Sequence, residues 1–259
     1  MSVETIILLY LCFWLALAGA VLGSFIDCAV WRWANGGTMF KGRSRCAACG
    51  HVLTARDLVP VFSYLFARGR CRHCGEKIPA ECLWAEIAGA LVFVCLGARF
   101  GVSAELCQWL VLGALLLSVS LTDAARRLIP DKLLAAMAVN RAVWVLLLGQ
   151  PVWDSVKTAL VSLCAGPLPL LALALVMDKV LGRDTMGGGD IKLLMALALY
   201  LTWPQMLLTL LAGCLLGIVG AAVGKQRGAI PFGPYLAAAC VAAVCFGGPL
   251  LDWYLGLLG

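Results

Sequence analysis

Apolar residues run through this chain in long blocks separated by short polar breaks. The blocks cover roughly 5–26, 83–98, 106–122, 133–149, 156–177, 191–203, 205–223 and 233–251. Each approaches the length needed to cross ~30 Å of hydrocarbon, although 191–203 is short and relies on its flanks or a locally thin bilayer. The pattern predicts an all-α polytopic membrane protein with about eight transmembrane helices. A long polar stretch, 32–82, interrupts the series after the first helix and reads as a loop between helices 1 and 2. The organisation expected is a first helix (1–31), this loop (32–82) and a helical bundle (83–259).

Composition agrees with that pattern. Of the 259 residues, 63% are hydrophobic and only 13% charged, more apolar surface than a soluble domain could hide. The first apolar run does not read as a cleavable leader, because Glu4 precedes it and the first basic residue is Arg32.

Charge then orients the chain. Nine basic residues (Arg32, Lys41, Arg43, Arg45, Arg56, Arg68, Arg70, Arg72 and Lys77) face only Asp57, Glu76 and Glu81 in the long loop, which thus carries the whole net charge of +6. Cytoplasmic loops collect lysine and arginine, so this loop is expected inside and the amino terminus outside. Counting crossings from there, loops 32–82, 123–132, 178–191 and 224–229 hold, with Lys132 and Lys192 at their edges, 17 of the 20 basic residues. Charge and helix parity agree. The same charges would attract anionic lipid headgroups. Nucleic acid is not an expected partner, because the loop lacks interleaved aromatic stacking platforms.

Four of the 13 cysteines form Cys46-Ala47-Ala48-Cys49-Gly50 and Cys71-Arg72-His73-Cys74-Gly75. Two such knuckles, each closed by glycine, have zinc-ribbon spacing. Four thiolates imply a structural tetrahedral Zn2+ with no open position. A reducing cytoplasm disfavours disulfides here. His73 is a weaker alternative ligand. The segment Pro60 to Phe66 between the knuckles is expected to pack on the membrane surface or on the helix bundle. The other nine cysteines lie in or beside apolar runs and read as packing residues.

Two aspartates stand out. Asp123 ends the run 106–122, and Asp190 opens 191–203 after Gly187, Gly188 and Gly189. Ionisable groups at membrane depth are costly and are functional candidates by default. Both fall on the same face by the parity count. Glycines leave room for a substrate backbone and permit unusual dihedrals. The helix amino terminus and Lys192 are expected to keep Asp190 ionised, with its partner carboxylate holding the proton. Such a pair can activate water and protonate a leaving amine. The bland alternative is a pair of helix-end aspartates, as Asp131, Asp178 and Asp184 are read.

Gly187-Gly188-Gly189-Asp190 matches the GxGD signature of intramembrane aspartyl proteases, and the whole chain resembles the type IV prepilin peptidases (leader peptidase/N-methyltransferases). Gly23-Ser24-Phe25-Ile26-Asp27 with Arg32 resembles that family's first motif. Arg43 to Cys49 and Gly69 to Cys74 resemble its paired knuckles, and Leu58 to Leu65 the segment between them. Asp123 with Ile129-Pro130-Asp131, Gly187 to Lys192, and Pro231-Phe232-Gly233-Pro234 follow in family order.

The resemblance implies an aspartic endopeptidase of the bacterial inner membrane that clips leaders from type IV prepilins or type II secretion pseudopilins at the cytoplasmic face. It makes Asp123 and Asp190 the catalytic pair. It also implies N-methylation of the new amino terminus with S-adenosylmethionine, for which no binding residues can be named. Asp27, Ala47 and the segment Cys82-Leu83-Trp84-Ala85-Glu86 depart from the family pattern, in the half linked to methyl transfer. Two rivals are a peptidase without methyltransferase activity, and a transporter or scaffold with a structural zinc loop.

Overall fold

The computed structural model describes residues 2–38, 44–182, 186–224 and 230–258. Lys41, Arg43 and Asp184 therefore lie outside the described residues. The chain divides after Leu106 into two units. Among the described residues all regular structure is helical, apart from two isolated antiparallel bridges.

The first unit is built on α1 (Val3–Ala34), a short α2 (Phe62–Phe66) and α3 (Ala80–Phe100). Ser2 caps α1, its Oγ accepting the Thr5 N–H at 3.2 Å. The crossing of α1 and α3 is set by small residues. Gly19 and Gly23 are four apart on α1, as are Ala85 and Gly89 on α3. A Cβ on Gly19 or Gly89 would run into the other's carbonyl oxygen, and one on Gly23 into the Ala85 carbonyl. Close backbone approach replaces the hydrophobic effect, which lipid does not supply between helices. Within this unit α3 pairs with α1.

Between these helices lie the two knuckles and a 3-10 turn, Ala55–Asp57. Asp57 closes that turn by accepting the Thr54 N–H at 3.0 Å and the Thr54 hydroxyl at 2.7 Å. Those bonds hold its carboxyl below the usual carboxylate range.

The second unit comprises α4 (Ala104–Arg126), α5 (Asp131–Leu147), α6 (Val152–Ala165), α7 (Pro167–Leu181), α8 (Gly188–Ala198), α9 (Trp203–Gly224) and α10 (Gly233–Leu258). Every apolar run of the sequence is helical, but the correspondence is not one run to one helix. The run 156–177 breaks at Gly166, because Pro167 has no N–H and disfavours helix at the residue before it. Among the described residues six stretches are long and apolar enough to span a membrane, with α6 and α7 counted together. The 17-residue α5 and the 11-residue α8 fall below that length.

The core sits around α8. Leu193, Leu194, Leu197 and Ala198 are fully buried, as are Leu201, Met206 and Leu236 around them. α8 packs against α5, α6, α7, α9 and α10. A helix apolar on all sides belongs inside a bundle, and one that meets protein rather than lipid is free of the span length.

Candidate active site and metal centre

Asp123 lies in the last turn of α4 and is only 6% exposed. Its Oδ2 accepts the N–H of Gly233, the first residue of α10, at 2.8 Å. The first N–H groups of a helix have no partner within it, so this carboxylate satisfies one of them. Gly233 is needed for the approach: a Cβ there would stand 2.9 Å from Asp123 Oδ2. The Pro231-Phe232-Gly233-Pro234 segment thereby acquires a physical role that the sequence alone did not suggest.

Asp190 lies in the first turn of α8, its N–H donating to the Gly187 carbonyl at 3.0 Å. The glycines before it act through space rather than through dihedrals. Gly187 has φ −63° and ψ 124°, which any residue adopts. A Cβ on Gly187 would press within 3.1 Å of Asp190 Oδ2, and one on Gly189 within 3.4 Å of Ile129 Cβ. The expectation of unusual backbone conformation at this stretch is therefore corrected to one of close approach.

Asp123 and Asp190 line one cavity of about 370 Å³, with Arg127, Leu128 to Asp131, Gly187 to Gly189 and Lys192. The two carboxylates act on each other electrostatically. Arg127 turns the chain out of α4 with φ 52°, its N–H donating to the Asp123 carbonyl at 2.7 Å. Lys192, expected beside Asp190, instead pairs with Asp131 at 2.8 Å, both side chains largely exposed. One of the two supports for an ionised Asp190 is thus spent on another carboxylate. Both aspartates thus line a recess with one apolar wall, Leu128 to Pro130, and open space over Gly188.

In the first unit the Sγ atoms of Cys46, Cys49, Cys71 and Cys74 all lie within 4.8 Å of one another. Cys46 and Cys74 are 3.9 Å apart. Zinc–sulfur bonds of about 2.3 Å at tetrahedral angles put thiolates about 3.8 Å apart, so the donor set fits zinc. The two knuckles are one structure used twice. Cys46 N–H donates to His51 O at 2.9 Å and Cys71 N–H to Glu76 O at 2.8 Å, while Gly50 and Gly75 N–H each return to the first cysteine's carbonyl at 2.9 Å. The closing glycines have φ 69° and 75°, the left-handed region where a side chain is strained. The N–H groups of Cys49 and Ala48 aimed at Cys46 lower its thiol to about 7, while desolvation and the neighbouring thiols push Cys74 up to about 12. His73 is not in the cluster; its ring stacks on His51 with centroids 4.4 Å apart.

Asp27 on α1 and Cys82 on α3 lie close enough for their side chains to interact. Nearby on α3, Glu86 is buried, and its Oε2 accepts the Val61 N–H at 2.6 Å. Val61 has φ 62° and ψ −53°, and Phe62 N–H donates across it to Pro60 O at 2.6 Å. That is a γ-turn of the strained kind, rare for a β-branched residue. Sequence reading found no role for Glu86 or Val61, since neither residue type announces such a turn.

The comparisons follow the same two-part division. Residues 17–100 match the family model for the bacterial peptidase A24 N-terminal domain, and residues 110–222 the model described as the type IV leader peptidase family. The chain is 32% identical over 243 residues to a prepilin leader peptidase/N-methyltransferase of Bacillus subtilis (strain 168), covering 92% of this chain and 95% of the relative. A protein of the same name from Pseudomonas putida is 35% identical over 224 residues, 83% of this chain and 76% of its own length. One from Aeromonas hydrophila is 33% identical over 222 residues, 82% and 74% of the two chains. No solved structure matches. Full-length identity at this level, with both halves matched in order, means that the chain belongs to the type IV leader peptidase family.

Proposed function

We propose that this protein is a membrane aspartic endopeptidase that removes the leader of type IV prepilins or type II secretion pseudopilins at the cytoplasmic face, and then N-methylates the new amino terminus. The observation that carries the reading is the single cavity lined by Asp123 and Asp190. Relatives named prepilin leader peptidase/N-methyltransferase support the substrate class and the second activity.

In the proposed step, one carboxylate removes a proton from a water while its oxygen attacks the scissile carbonyl. The other carboxylic acid gives its proton to the amide nitrogen as the C–N bond breaks. The Gly233 N–H fixes the Asp123 carboxylate, and Gly187 to Gly189 leave room for the substrate backbone. Lys192 and Asp131 close one side of the cavity as an ion pair.

Cys46, Cys49, Cys71 and Cys74 hold a structural zinc, whose contribution is folding energy for a loop with little apolar core. S-adenosylmethionine supplies the methyl group, and no residues are assigned to it. α5 and α8, too short to span alone, complete about eight crossings. That count leaves the amino terminus periplasmic and the cavity cytoplasmic in a bacterial inner membrane. Residues 32–82 form the zinc-binding, methyl-transfer-associated region.

The test is incubation of the purified protein with a prepilin, with and without S-adenosylmethionine, followed by mass spectrometry of the products. Cleavage in both samples and a methyl increment only with the donor is the expected outcome. Cleavage without the increment leaves a peptidase alone, and an uncleaved prepilin overturns the proposal in favour of a transporter or scaffold.

A further inference from the structure

Outside its spanning helices the first unit shows an apolar face. Leu58, Val59, Phe62, Leu65 and Phe66 are between 43% and 79% exposed. Phe62, Leu65 and Phe66 share one side of α2 by helical spacing, and the two phenylalanine rings stack with centroids 6.5 Å apart.

Its surroundings are of one sign. Arg56, Arg68 and Arg70 are exposed beside it. Of the acids near it, Asp57 is occupied by Thr54 and by Arg72 at 3.6 Å, and Glu86 is buried. The height of the face is also set. Glu86, in the second turn of the spanning helix α3, accepts the Val61 N–H immediately before α2. α2 is thereby tied to the end of a membrane span, at the level where hydrocarbon gives way to headgroups. The strained turn at Val61 has a purpose under that constraint: it redirects the chain so that α2 leaves its attachment with phenylalanines outward.

We propose that α2 and the residues before it form an interfacial anchor, inserting Leu58, Val59, Phe62, Leu65 and Phe66 into the headgroup boundary of an anionic bilayer. An apolar face rimmed with arginine is the composition that binds such a surface, with burial of a few ångströms and electrostatic attraction acting together. A row of exposed phenylalanine and leucine side chains suits a fluid apolar medium. The anchor would hold the cysteine knuckles against the membrane rather than free in solvent.

The test uses the full chain in nanodiscs of phosphatidylcholine and phosphatidylglycerol. p-Benzoylphenylalanine replaces Phe66 in one preparation and the exposed Glu76 in another, so that neither variant disturbs a packed position. After irradiation, lipid adducts should be about tenfold more abundant at 66 than at 76, given the shallow depth of interfacial burial. Replacing phosphatidylglycerol with phosphatidylcholine should lower the yield at 66 about threefold or more, from loss of the arginine attraction. Equal lipid yields at the two positions, or adducts at 66 that are peptide rather than lipid, would overturn the proposal. Hydrogen exchange provides a second reading: amides 58–66 should exchange faster in a Phe62→Ser/Phe66→Ser variant than in the parent, and an unchanged rate counts against the anchor.

Discussion

The cysteine knuckles and the aspartate cavity solve the same problem, bringing like groups together, by opposite means. Four thiols meet in the first unit with almost no core around them, each knuckle held by its own short hydrogen bonds. Two carboxylates line one cavity in the second because five helices pack around α8, and Gly233, which bonds Asp123, lies 110 positions away. In one site the ligand set organises the fold. In the other the fold organises the ligand set. A site of the first kind should fail when its metal goes, and one of the second kind should fail when packing shifts by an ångström.

The sharpest break is at the carboxylates. Asp123→Asn and Asp190→Asn should each lower prepilin cleavage by about 10³-fold or more, as expected when an acid–base pair is lost. Thermal melting should stay near that of the parent. Substantial activity in both variants would remove the dyad from the mechanism.

Next comes the metal. Cys71→Ser should abolish stoichiometric zinc by elemental analysis and open residues 44–78 to protease, while the helical signal of the second unit persists. Metal content equal to the parent's would mean that the four cysteines are not the ligand set.

Gly233→Ala tests the cavity by geometry alone. A Cβ placed 2.9 Å from Asp123 Oδ2 must push the carboxylate or α10 aside. We expect kcat to fall about 10- to 100-fold, the cost of a small misplacement, with KM changed little. If kcat holds, the N–H contact does not position Asp123.

The smallest effect belongs to Lys192→Ala. Its ion pair with Asp131 is largely exposed, so stability should change by about 1 kcal/mol or less in chemical denaturation. A larger loss would show that the pair braces the cavity.

Much of this architecture was legible from the chain. Apolar runs marked all the helices except α2, and the two knuckles were readable because their ligands and turn glycines are close in sequence. What escaped depends on contacts between distant residues. Nothing local to Gly233 points at Asp123, and nothing local to Glu86 points at Val61. The burial of the run 191–203 among five neighbouring helices escaped because hydrophobicity does not distinguish lipid from protein as the neighbour. Lys192 was assigned to Asp190 by proximity along the chain, yet Asp131, 61 residues earlier, lies closer in space. The Gly19/Gly23 and Ala85/Gly89 contacts were present as small residues, but their meaning required two helices at once.

Under the proposed function, the far end of α8 bears on how deep in the bilayer cleavage would take place. Eleven residues rise about 16 Å, roughly half the apolar thickness. α8 by itself is therefore too short to reach water at both ends, and its crossing would be completed by the protein around it. Its carboxyl end is the one enclosed by protein. Arg141 Nε donates to the Leu199 carbonyl at 3.0 Å, and Asn140 and Tyr200 hydrogen-bond beside it in the protein interior. With that end sealed by a cation and bonded backbone, the amino end carrying Asp190 is left at the rim, where the cavity opens. A peptide bond delivered there needs to be drawn only to the shoreline of the membrane, never through its middle.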